Sequence, residues 1–191
     1  MTRPVLITVI GKSAKDPGDP VPPEALRAAE EVGRLIAERG GVVVSGGLSG
    51  VMEAVSRGAK SEAGLVIGML PGFDKRDANP YVDIAITTGM GWMRNTLTVR
   101  AADAVIMISG GIGTLNELTV AYQDKPTVIL EHTGGWSDRI REIAYGGKHL
   151  DEAGSATLHF AATPEEAVEL ALSLTALGQD DSRAAEREFR S

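Results

Sequence analysis

Short runs of branched apolar residues alternate with stretches of helical spacing as far as residue 176, and that alternation sets what this chain can fold into. The runs are Val5 to Ile10, Val42 to Ser45, Leu65 to Leu70, Ala104 to Ile108, Thr127 to Leu130 and Thr157 to Ala161, with Asp83 to Thr87 alternating like a short strand. The helical stretches are opened or closed by recognisable signals. Pro22-Pro23 open the first, Gly40-Gly41 close it, and Thr163-Pro164-Glu165-Glu166 form a capping box ahead of a last helix expected to end near Leu177. Further helices are expected from Gly50 to about Ala63, from near Trp92, from Thr114 to about Gln123 and from Trp136 to Tyr145. Strand, helix, strand, repeated, predicts an α/β fold: a Rossmann-like, doubly wound, mainly parallel sheet with helices on both faces.

Composition agrees. The 191 residues suffice for one domain, expected over 1–177, and residues 178–191 read as a charged, flexible tail. Aromatics are few (three Phe, three Tyr, two Trp), so Val, Ile, Leu and Ala must build the core, as in parallel sheets covered on both faces. A net charge of −7 lacks the basic footprint that duplex nucleic acid requires, so nucleic acid is not an expected partner. The chain has no cysteine, which excludes disulfides, thiolate metal sites and a cysteine nucleophile. No apolar run approaches the roughly 20 residues of a membrane span, and the start shows no signal-peptide pattern. A cytoplasmic protein with no membrane partner is expected.

Two glycine clusters follow strand runs and precede helical ones: Gly46-Gly47-Leu48-Ser49-Gly50 and Ser109-Gly110-Gly111-Ile112-Gly113. In a parallel sheet these positions lie at the carboxyl ends of strands, where ligands bind. Glycine lets backbone N–H groups crowd around an anion, and a helix N-terminus adds favourable partial charge. Tight turns alone would also use such glycines, but two clusters in equivalent positions favour a shared phosphate site. Named motifs are absent. Gly11-Lys12-Ser13 suggests a P-loop, yet Leu6 stands where its first glycine is required. Gly111-Ile112-Gly113 lacks the third glycine of the dinucleotide fingerprint, although Glu131 could mimic its ribose-binding acid. No Gly-x-Ser-x-Gly occurs, and His132, His149 and His159 show no metal-site spacing, so no metal is expected.

The run Arg94-Asn95-Thr96-Leu97-Thr98-Val99-Arg100-Ala101-Ala102-Asp103, then Gly110-Gly111-Ile112-Gly113-Thr114 and Glu117, resembles the Lonely Guy family of the lysine-decarboxylase-like (SLOG) superfamily. That family's signature is an arginine segment followed by Gly-Gly-x-Gly-Thr-x-x-Glu, and Gly46 to Met52 looks like its first glycine loop. The resemblance implies a nucleoside 5′-monophosphate phosphoribohydrolase that cleaves the N-glycosidic bond, with Arg94 and Glu117 as the catalytic pair. It places a phosphate on Gly110, Gly111, Gly113 and Thr114, with Gly46, Gly47, Gly50 and Met52 on the same ligand. The chemistry is coherent: a carboxylate can stabilise positive charge developing on ribose and orient water, while an arginine fixes phosphate or base.

One position departs. The enzymes usually carry Lys after the arginine, whereas this chain has Asn95. Thr88 to Asn95, Gly50 to Val55 and Gly68 to Gly72 look closer to the molybdenum cofactor carrier proteins of the same superfamily, which hold a phosphorylated pterin without transforming it. Those carriers keep the Arg and Glu, so the pair does not separate the two readings, and it could also be a structural ion pair. No cofactor is required on this reading. The implied ligand is the molybdenum cofactor or a nucleotide, and homo-oligomers, dimers or tetramers, are implied as well. A nucleotide-sensing module using the tail is a third reading. Met90, Trp92 and Met93 are apolar residues near the expected site and suit core or subunit contact. Asp74 to Asp77 read as a solvated loop that could border the site, and Thr133 to Trp136 could close over a ring.

Overall fold

The computed structural model describes residues 3–14 and 17–188, with side chains through residue 176. Seven strands form one sheet: β1 (Leu6–Gly11), β2 (Val42–Ser45), β3 (Val66–Leu70), β4 (Ile84–Thr87), β5 (Ala104–Ile108), β6 (Thr127–Leu130) and β7 (Leu158–Ala161). Every neighbouring pair is parallel, in the order β4-β3-β2-β1-β5-β6-β7. The helices are α1 (Pro23–Glu38), α2 (Val51–Ser61), α3 (Arg94–Arg100), α4 (Ile112–Asp124), α5 (Ile140–Ile143) and α6 (Pro164–Glu188).

The sequence pattern explains the layering. All five residues of β5 are buried, since a central strand is covered on both faces. One face meets α1, α2 and α6 through Ile7, Val43, Ile106, Val128, Val32, Val55 and Val168. The other packs Ile10, Met107 and Ile129 against Val99, Leu118 and Ile140, from α3, α4 and α5. Helices α1 and α2 touch closely because two glycines permit it: a Cβ on Gly33 would stand 2.0 Å from the Val55 carbonyl oxygen, and one on Gly58 1.8 Å from that of Glu30.

Strand order reverses at β1. The chain grows outward through β2, β3 and β4, then returns to lay β5 on the other flank of β1, with Ile7 opposite Ala104. A doubly wound sheet opens its ligand crevice at such a switch point, beyond the carboxyl ends of the strands. Here those ends carry the loops after β1, β2 and β5.

Some element ends differ from the sequence expectation. The helix expected from Trp136 to Tyr145 is a 3-10 turn at Gly135–Asp138 followed by the short α5. Gly134 and Gly135, with φ of +78° and +62°, prevent an earlier regular start. At the other end Tyr145 leaves the helix to bridge with His149. The region near Trp92 likewise begins as a 3-10 turn, Gly91–Met93, and Lys75–Asp77 adds another inside the expected loop. The expected cap of α6 forms: the Thr163 hydroxyl accepts from the Glu166 N–H at 3.2 Å, and the Glu166 carboxylate accepts from the Ala162 N–H at 2.8 Å. Helix α6 continues to Glu188 rather than ending near Leu177, since the Ala, Glu and Arg residues of the expected tail favour helix. Residues 189–191 of that tail lie outside the described residues.

Candidate functional site

A cavity of about 380 Å³ opens at the switch point, within the range of small-molecule sites. It is lined by residues from three strand-to-helix loops and from the start of α3, among them Lys12, Gly46, Leu48, Met52, Arg94, Gly111, Gly113, Thr114 and Glu117. The two glycine loops therefore face one space.

The second loop is built for close approach. Gly111 precedes α4, whose first-turn N–H groups have no acceptor within the helix. A Cβ on Gly111 or Gly113 would meet nothing within 4 Å, so both present bare backbone to the cavity. The loop is held from behind. Ser109, at φ +57°, donates its N–H to the Thr133 hydroxyl at 2.8 Å. The N–H of Trp136 donates to the Gly110 carbonyl at 3.1 Å. Gly110 itself does not line the cavity: its φ is +118° and a Cβ there would crowd Thr114 Cβ at 2.8 Å. The Thr133 to Trp136 segment is thus a brace for the loop, with Trp136 packed on the core rather than over the site.

The first loop behaves differently. Gly46 lines the cavity and makes room for the Arg94 guanidinium; a Cβ would come 2.4 Å from Arg94 Nη1. Gly47 and Gly50 do not line the cavity and serve the backbone, with φ of +71° and +74°. Gly50 packs on the carbonyl of Lys12, which also accepts the Val51 N–H at 3.0 Å. Asn79, from the segment before β4, clamps this loop: its side-chain amide donates to the Leu48 carbonyl at 2.9 Å and its N–H to that of Gly47 at 2.8 Å. Nothing in the local sequence marks Asn79, since only the fold brings it to Leu48.

Arg94 and Glu117 stand side by side at the cavity wall, Nη1 to Oε1 3.6 Å, with side chains 9% and 10% exposed. The separation exceeds a direct hydrogen bond. Burial pushes Glu117 up to about 7, and the attraction of Arg94 only partly opposes it. Burial also pulls Arg94 down from its ordinary value, against the attraction of Glu117. An ion pair at this distance would ordinarily lower a carboxyl, but the near-complete loss of water around Glu117 outweighs it. Arg94 also donates to the Thr98 hydroxyl at 3.3 Å. Asn95 beside it donates to Asn116 Oδ1 at 3.0 Å and to the Gly113 carbonyl at 3.5 Å, tying α3 to the second glycine loop.

Several residues weighed from the sequence lie elsewhere. Glu131 pairs with Arg141 at 2.7 Å and does not line the cavity. The three histidines are absent from its wall, and so are Asp74 to Asp77; Asp74 pairs with Arg76. Conversely, Lys12, Ser13, Asp19, Leu48, Pro71 and Trp92 line the cavity without having been singled out as ligand contacts. The order of the strand ends would have pointed to Lys12, because the loop after β1 must lie between the other two.

Residues 4–168 match the SLOG cluster4 family. A molybdenum cofactor binding protein from Rippkaea orientalis superposes with a TM-score of 0.76 at 33% identity, over 91% of this chain and 99% of that one. The molybdenum cofactor carrier protein of Chlamydomonas reinhardtii gives 0.76 at 31% identity, over the same shares. A cytokinin riboside 5′-monophosphate phosphoribohydrolase from Mycobacterium tuberculosis is 34% identical over 142 residues, 66% of this chain and 76% of its own.

Proposed function

This chain belongs to the SLOG cluster4 family, and from that premise we propose that it is a cytoplasmic carrier that holds a phosphorylated pterin of the molybdenum cofactor type, or a nucleotide, without transforming it. The observation that carries the reading is the single cavity bordered by both glycine loops, with bare backbone at Gly111 and Gly113 beside the first turn of α4. A phosphate seated there meets N–H groups and the positive end of the helix. Likeness to carrier structures along nearly their whole length supports the carrier over the enzyme. Among the described residues no helix is long and apolar enough to cross a membrane.

The pterin or molybdenum cofactor fits the wall that is present. Gly111, Gly113 and Thr114 would take its phosphate, and Leu48, Pro71 and Trp92 offer apolar surface to its rings. The bound group itself would supply only cargo, with the protein's part being to orient it and exclude water.

One observation favours the phosphoribohydrolase as second reading. Glu117 is a buried carboxyl at the cavity wall that titrates at about 7, so it can hold or release a proton near neutral pH while Arg94 fixes the phosphate or base. Glycosidic cleavage needs a group of this kind beside the ribose.

The carrier also pairs with a second copy of itself on this reading. Ile84 and Ile86 of the edge strand β4 are 44% and 39% exposed, and Met93, Trp92 and Leu97 near the start of α3 are exposed too.

Mass spectrometry of small molecules released on denaturation, together with an assay for base release from AMP, tests the assignment. The expected result is a phosphorylated pterin and no adenine. Adenine release by the wild type, lost in Glu117→Gln, would replace the carrier reading with the enzyme.

A further inference from the structure

The loop after β1 leaves the strand at the centre of the switch point and lines the cavity. Sheet order places β1 between β2 and β5, so Gly11-Lys12-Ser13 must emerge between the two glycine loops. The backbone of Lys12 is fixed there. Its carbonyl takes the Val51 N–H and is covered by Gly50, which also occupies the start of α2 and leaves the start of α4 as the freer anion seat. The Lys12 side chain is recessed, 17% exposed, whereas its ion-pair partner Asp19 is 71% exposed. Both line the cavity.

Lys12 and Arg94 are the two cationic side chains among the lining residues, and Arg94 is already beside Glu117. In a chain of net charge −7, an incoming phosphate needs a cation free to reach it, and the Arg94 guanidinium is held at the wall against Gly46, Thr98 and Glu117. Asp19 is a solvated carboxylate, and exchanging it for a phosphate oxygen costs Lys12 little.

We propose that Lys12 is the cationic contact for the phosphate of the ligand, and that Asp19 is the counter-ion it exchanges on binding. This rests on the reading of the cavity as a phosphorylated-ligand site. No covalent step is involved. Asp19 holds the ammonium at the wall in the free protein and competes with the ligand for it, so the pair sets both affinity and its dependence on salt.

Calorimetry with AMP and 6-hydroxymethylpterin phosphate, beside their dephosphorylated counterparts, tests the assignment. Lys12→Met should weaken whichever phosphorylated ligand binds by about 10- to 100-fold and leave the dephosphorylated form unchanged. Lys12→Arg should recover most of the loss, and Asp19→Asn should tighten binding by about 2- to 5-fold with less dependence on salt. Thermal melts confirm that each variant is folded. Binding to Lys12→Met at wild-type strength would overturn the role of Lys12 alone. Equal weakening by Asp19→Asn would show the pair to be structural. A wild type that binds neither phosphorylated compound would overturn the site reading, and this proposal with it.

Discussion

Replacing Glu117 by Gln should stabilise this protein at alkaline pH and leave it unchanged in acid. Glu117 titrates at about 7 in the folded chain instead of 4.5, because burial disfavours its charge more than Arg94 supports it. The folded form therefore binds the proton more tightly than the unfolded form. That contribution to stability is fully present below pH 4.5 and is lost as the pH rises through about 7. The interval from 4.5 to about 7, at about 1.4 kcal/mol for each pH unit, corresponds to about 3 kcal/mol. Glutamine has the shape of the protonated acid and leaves Arg94 without its counter-charge to the same degree, so the two proteins should coincide near pH 4. By pH 8.5 the variant should unfold about 3 kcal/mol less readily, roughly 6–12 °C higher for a chain of this size. Thermal or urea unfolding of both proteins across that range reads the difference directly. A constant offset at every pH, or a wild type more stable at pH 8.5, would mean that the ion pair with Arg94 outweighs the burial of Glu117.

Two further outcomes follow from the cavity wall. Gly111→Val should fold with a cost of no more than about 2 kcal/mol, because its φ of −109° suits any residue and a Cβ there meets open space; calorimetry should nonetheless find the phosphorylated ligand no longer bound, and unchanged affinity would show that the space is not the ligand's. Trp92 lines the cavity and Trp136 does not, so ligand should change tryptophan emission in the wild type and in Trp136→Phe but not in Trp92→Phe; a signal surviving in Trp92→Phe would place the ring elsewhere.

The layers of this fold were legible because they rest on local chemistry. Val42 to Ser45 and Ala104 to Ile108 are short apolar runs of strand length, and Thr163-Pro164 ahead of two glutamates is a helix-start signal. Parallel pairing follows from the helical segments between the strands. The roles of individual glycines were not legible. Gly46, Gly47 and Gly50 look alike in sequence, yet Gly46 makes room for Arg94, Gly47 abuts Gly68, and Gly50 covers the carbonyl of Lys12. Those partners are distant along the chain and become visible only when strand order is known. For the same reason Asn79 carried no local signal, Lys12 carried only that of an incomplete P-loop, and Glu131 carried a misleading one: Arg141, ten positions on, captures it.

The seam between the two halves of the sheet has a consequence for how the molecule assembles. Strand β1 is the central one, and its second neighbour arrives only when Ala104 reaches Ile7. Until then one flank of β1, with its open row of backbone N–H and C=O groups, has no native partner, and that pairing closes the longest loop the sheet requires. The cavity lies across this same junction, so its walls complete only when the halves join. A small molecule that spanned the junction would act as a clasp between them and favour the joined state.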